Sequence, residues 1–107
     1  MTLKDLIIDL INARHRGREN AIRRRELLLY CRQFDPELTD RELRRIVEDL
    51  PQICTGSKGY FMPESYEEVE DTVEYLRKKA LAMLRRAKKI RLYYRALSDS
   101  GQMRLFI

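Results

Sequence analysis

Residues 39–62 read Thr39-Asp40-Arg41-Glu42-Leu43-Arg44-Arg45-Ile46-Val47-Glu48-Asp49-Leu50-Pro51-Gln52-Ile53-Cys54-Thr55-Gly56-Ser57-Lys58-Gly59-Tyr60-Phe61-Met62. The first four have the S/T-x-x-E form of a capping box, in which the Thr hydroxyl and the Glu carboxylate satisfy amides of the first turn reciprocally. Leu43, Ile46, Val47 and Leu50 then recur on one helical face, and Pro51 ends the helix. Gln52–Thr55 and Gly59–Met62 follow as two short β-prone runs around Gly56-Ser57-Lys58, a three-residue connection rich in turn formers. The stretch predicts a helix leading into a small antiparallel hairpin.

Upstream, Thr2 is placed to cap a helix whose Leu3, Leu6, Ile7, Leu10 and Ile11 follow the spacing of one buried face. It ends near Arg14 to Gly17. A second helix is expected over about Arg24 to Gln33, with Ala21-Ile22 before it as a very short strand and Asp35-Pro36 after it as a stop. All four glycines and all three prolines fall between periodic segments, so the boundaries are easily read. The chain has 107 residues, 44% hydrophobic and 36% charged, enough for one modest core plus one long element.

Helix, short strand, helix, helix and hairpin within about 60 residues is an order that resembles the winged-helix family, over residues 2–63. The resemblance implies a winged helix-turn-helix with a β-hairpin wing, and with the long C-terminal helix that the periodicity below predicts, the fold class is mainly α (α+β). It also implies DNA as a partner, with the third helix laid in the major groove and the wing on backbone or minor groove. Carried over, these roles fall on Arg41, Arg44 and Arg45 of the helix and on Ser57 and Lys58 of the wing. At 100° per residue from Leu43, Arg41 and Arg45 stand at about 160° and 200°, opposite the apolar stripe. Glu42, Glu48 and Asp49 share that exposed side and oppose phosphate binding. Arg23, Arg24 and Arg25, with Arg14, Arg16 and Arg18, supply further basic density that could grip flanking phosphates or simply face solvent.

Residues 64–97 form the strongest periodic segment. Ser65-Tyr66-Glu67-Glu68 has the form of a second capping box. Tyr66, Val69, Val73, Leu76, Ala80, Met83, Ala87, Ile90, Tyr94 and Leu97 then alternate spacings of three and four, a heptad seam. A helix of about 33 residues is near 50 Å long and outruns a 60-residue domain, so part of this seam needs a partner. The reading favours a homodimer through Val69, Val73, Leu76, Ala80, Met83, Ala87, Ile90, Tyr94 and Leu97; the alternative is packing on the domain's own helices. Residues 64–76 hold six acids and no base, whereas residues 77–97 hold nine bases and no acid. Antiparallel pairing sets each basic half against an acidic half. The same basic residues could instead line a phosphate backbone.

Residues 98–107 are a short linker, Ser98-Asp99-Ser100-Gly101, and then Gln102-Met103-Arg104-Leu105-Phe106-Ile107. The ending resembles the Q-L-x-L-F peptide by which bacterial replication and repair proteins dock on the sliding clamp, with Met103 replacing the first Leu. The resemblance implies Gln102, Met103, Leu105 and Phe106 as clamp-binding residues; the alternative is a tail folded back on its own fold. More loosely, the whole layout resembles accessory proteins of bacteriophages and prophages that accompany replication and recombination functions.

Catalysis finds no motif. His15 stands among arginines without a placed nucleophile, there is no phosphate-binding glycine loop, and no cofactor is implied. Cys31 and Cys54 form neither a CxxC nor a cluster with His15, so neither a disulfide framework nor a zinc site is expected. No apolar run spans a bilayer and the N-terminus lacks the layout of a signal peptide, which reads as cytoplasmic, in a bacterium or a phage-infected host. The expectation is a non-enzymatic, DNA-associated dimeric adaptor. Two alternatives stand beside it: a protein-only module binding a helicase- or recombinase-type partner, and a winged-helix transcription regulator.

Overall fold

Thr2 caps the first helix, α1 (Leu3–Arg14), in the computed structural model, which describes residues 1–99. The cap is reciprocal: the Asp5 amide donates to Thr2 Oγ1 at 3.2 Å and the Thr2 amide donates to Asp5 Oδ2 at 3.1 Å. Ile7 and Ile11 are fully buried, while Leu3, Leu6 and Leu10 flank them half-buried. The second helix, α2 (Arg24–Cys31), buries Leu27, Leu28 and Cys31. It stops two residues before the expected Gln33, because the chain tightens there into turns: the Gln33 amide bonds the Tyr30 carbonyl and the Phe34 amide the Cys31 carbonyl.

The third helix, α3 (Asp40–Glu48), starts at the Thr39 cap, and both halves of its capping box form. The Glu42 amide donates to Thr39 Oγ1 at 3.1 Å and Glu42 Oε1 accepts from the Thr39 amide at 3.1 Å. The Thr39 hydroxyl, which donates to Glu42 Oε1 at 2.8 Å, and then the Thr39 amide hold the Glu42 carboxyl below its usual range. Leu43 and Val47 are buried, Leu50 is buried just beyond the helix, and Ile46 is half-buried. Asp49 is the C-cap, so the helix ends ahead of Pro51.

Strands β1 (Cys54–Gly56) and β2 (Gly59–Phe61) pair antiparallel with Cys54 opposite Phe61 and Gly56 opposite Gly59. The connection is therefore the two residues Ser57-Lys58 rather than three, because Gly56 is already a rung of the ladder. The expected strand at Ala21-Ile22 reduces to one bridge: the Ile22 amide donates to the Tyr60 carbonyl and the Tyr60 amide to the Ile22 carbonyl, each at 2.8 Å. The result is a mainly helical α+β fold with a two-stranded antiparallel sheet. Its core gathers Ile7, Ile11, Leu27, Cys31, Leu43 and Phe61, all fully buried. Burying each large aliphatic or aromatic side chain contributes about 1.5–3 kcal/mol. Cys31 and Cys54 are free and buried, and burial pushes the Cys31 thiol up to about 11.

Gly59 makes the Ile22 bridge possible. Its φ is +120°, and a Cβ there would drive into the Ile22 carbonyl oxygen. Gly59→Ala is expected to cost about 1–3 kcal/mol, since it combines backbone strain with displacement of the bridge. Thermal unfolding followed by circular dichroism should drop by roughly 5–15 °C; an unchanged midpoint would show that the bridge contributes nothing.

The last helix, α4 (Tyr66–Asp99), runs two residues past Leu97. Its start departs from the expected capping box. The Glu68 amide does donate to Ser65 Oγ at 3.3 Å, but the Glu68 carboxylate accepts from the Glu64 and Arg18 amides, both at 2.8 Å. Arg18 supplies a second tie, its guanidinium lying 3.0 Å from Asp71 Oδ2. Thr72, buried, donates to the Thr55 carbonyl at 3.1 Å. The chain divides into two units: Met1–Tyr75, which holds these ties, and a second that begins at Leu76. Among the described residues no helix is long and apolar enough to cross a membrane.

Candidate nucleic-acid interface

Asp40, the first residue of α3, organises the basic residues around it. Arg24 Nε lies 2.8 Å from Asp40 Oδ1, and Arg44 Nε lies 3.3 Å from Asp40 Oδ2. One carboxylate thus holds a guanidinium from the first position of α2 and another from the second turn of α3, and ties the two helices together. Tyr60 of β2 stands beside the group: burial pushes its phenol up, and the positive charge of Arg24 opposes that shift. The cluster keeps two cations against one anion, so it retains a net attraction for phosphate.

The other nominated residues are distributed around this centre. Arg23 is the N-cap residue of α2 and Arg25 follows Arg24, both exposed. Arg41 and Arg45 are exposed on α3 and stand one turn apart on its outward side. The hairpin tip behaves differently. Ser57 is exposed, but Lys58 Nζ sits 2.6 Å from Glu19 Oε2, a pairing that lowers the Glu19 carboxyl below its usual range. Of the loop arginines, Arg16 donates to Asn12 Oδ1 at 2.7 Å and Arg18 is engaged with Asp71. His15 lies beside them, its Nδ1 2.7 Å from the Asn20 carbonyl it donates to.

Asp40, Glu19 and Tyr60 are the participants that the pattern of arginines did not announce. Asp40 and Arg44 are four apart on one helix, a spacing that signals an ion pair in sequence. The pairings of Arg24 with Asp40 and of Lys58 with Glu19 join distant segments and leave no such signal.

The seam of α4 is present as a helical stripe. Val69 and Leu97 are half-buried, whereas Val73, Leu76, Ala80, Met83, Ala87, Ile90 and Tyr94 are exposed, Met83 at 71%. Gln102, Met103, Leu105 and Phe106 lie outside the described residues. Among the described residues no group of three or more His, Cys, Asp or Glu side chains could hold a metal ion. Comparison with protein-family models, curated proteins and solved structures finds no match to the chain.

Proposed function

We propose that this chain is a non-enzymatic, DNA-associated adaptor of the winged-helix type, which pairs with a second copy through α4 and recruits a sliding clamp through Gln102, Met103, Leu105 and Phe106. The observation that carries DNA association is the arrangement on α3: Arg41 and Arg45 face outward while Asp40 fixes Arg24 and Arg44 at its N-terminal end. The single bridge from Ile22 to Tyr60 supports the winged-helix reading, since it sets the segment before α2 against the edge of the hairpin. The exposed seam on α4 supports self-association, because a row of apolar side chains left in water is stabilised by burial against a partner. Clamp recruitment rests on the terminal sequence and its resemblance alone.

A second reading, a protein-only interaction module, is favoured by the ion pairs. Asp40 and Glu19 neutralise part of the charge of Arg24, Arg44 and Lys58. Salt separates the two readings. DNA bound through four or more cations is expected to weaken by about 100-fold or more between roughly 50 and 200 mM salt, in fluorescence anisotropy with a labelled duplex. A duplex affinity that is undetectable at the lower salt would leave the protein-only reading.

A further inference from the structure

The apolar residues of α4 beyond Leu76 are not confined to the seam. With Leu76 at 0° and 100° per residue, Ala80, Met83, Ala87, Ile90 and Tyr94 fall within about 40° of it, whereas Leu84, Leu81 and Leu92 fall at about 80°, 140° and 160°. All three leucines are exposed, Leu84 at 66%. A single antiparallel partner helix on the seam leaves this second face open. The small Ala87 leaves a groove here, walled by Leu84 and Leu92 and rimmed by Lys88, Arg91 and Arg95.

We propose that this groove docks an acidic amphipathic helix of a partner protein, with an apolar side chain seated between Leu84 and Leu92 and carboxylates facing Lys88, Arg91 and Arg95. Charge selects this occupant. Residues 76–98 hold nine lysines and arginines and no acid, so the partner brings the carboxylates. The same face of a second copy carries the same cations and is repelled, while a second copy's acidic block, of which Glu68 and Asp71 are bonded to Arg18, is an occupant that the light-scattering mass of L84E/L92E tests below: a loss of mass would assign the groove to it and overturn the proposal. A phosphate backbone offers nothing to the three leucines. A membrane surface wants an unbroken apolar face, and here Lys88 and Arg95, at about 120° and 100°, stand inside the leucine arc.

Only Ala87 is shared with the seam; Leu84, Leu92 and the flanking cations stand about 60° or more around the helix from Leu76, so docking against them does not require self-pairing. The test titrates the full chain into a labelled synthetic helical peptide with leucines on one face and glutamates on its flanks, beside a peptide of the same composition in scrambled order. Binding of the ordered peptide is expected to exceed that of the scrambled one by at least about tenfold and to fall by a similar factor in L84E/L92E, whose mass in light scattering stays unchanged. A charge-swapped pair, K88E/R91E/R95E with lysines replacing the glutamates of the peptide, should restore it. M83D, on the seam, should bind the peptide as the parent does. Equal affinity for the scrambled peptide, indifference to L84E/L92E, or leucine-dependent binding to phosphatidylglycerol vesicles in place of the peptide would overturn the proposal.

Discussion

At tens of micromolar the intact protein is expected to scatter light as two chains, and M83D/I90D as one. Met83 and Ile90 stand on the α4 seam with much of their surface in water. In a pair both become buried, and each aspartate placed there loses its hydration without gaining a partner, at a cost of several kcal/mol. A twofold pair buries every substitution twice, so the double variant should weaken association by at least about 1000-fold. Orientation has its own readout. Pairing Ala80 with Met83 of a second copy, antiparallel, also brings Leu76 to Ala87 and Val73 to Ile90. V73C mixed with I90C should then form a crosslinked heterodimer under mild oxidation, while V73C alone should not. Crosslinking of V73C with itself would make the pair parallel, and a parent protein that scatters as one chain would remove the dimer altogether.

The features legible in sequence were those written within a few residues. Thr39 and Glu42 are three apart, so the reciprocal cap of α3 follows from local chemistry, and the leucine and valine spacing of α3 and α4 gives their faces directly. Competition from distant groups decided the rest. Glu68 has the spacing to close a capping box with Ser65, yet its carboxylate bonds the Glu64 and Arg18 amides instead, because the loop after α1 comes to lie against the start of α4. The hairpin shortened for a related reason: Gly56 is taken into the ladder opposite Gly59, and Gly59 adopts φ +120° to let the Ile22 carbonyl approach. At the candidate interface the outward placement of Arg41 and Arg45 is a matter of helical period and was readable. The capture of Arg24 by Asp40, and of Lys58 by Glu19, depends on how α2, α3 and the hairpin meet, which no spacing along the chain encodes.

That distinction ranks the arginines. R41E/R45E is expected to weaken duplex binding by about 100-fold or more and to flatten the salt dependence by roughly two counterions, as each cation is removed from the phosphate contact and replaced by a repelling charge. Both side chains are exposed on the outward side of α3, so the change should leave the unfolding midpoint within about 2 °C of the parent. K58A should matter far less: the ammonium is paired with Glu19, and the two charges largely cancel at phosphate distance. D40N adds a sign test. Removing the carboxylate leaves Arg24 and Arg44 without their common partner, which raises the local positive charge but frees both guanidinium groups from a fixed geometry. If charge alone governs contact, D40N binds duplex more tightly than the parent. If Asp40 presents the two arginines to a phosphate, D40N binds more weakly while its salt slope stays the same, and the carboxylate is then a positioning group of the interface. Indifference of duplex affinity to R41E/R45E would move any nucleic-acid contact off α3.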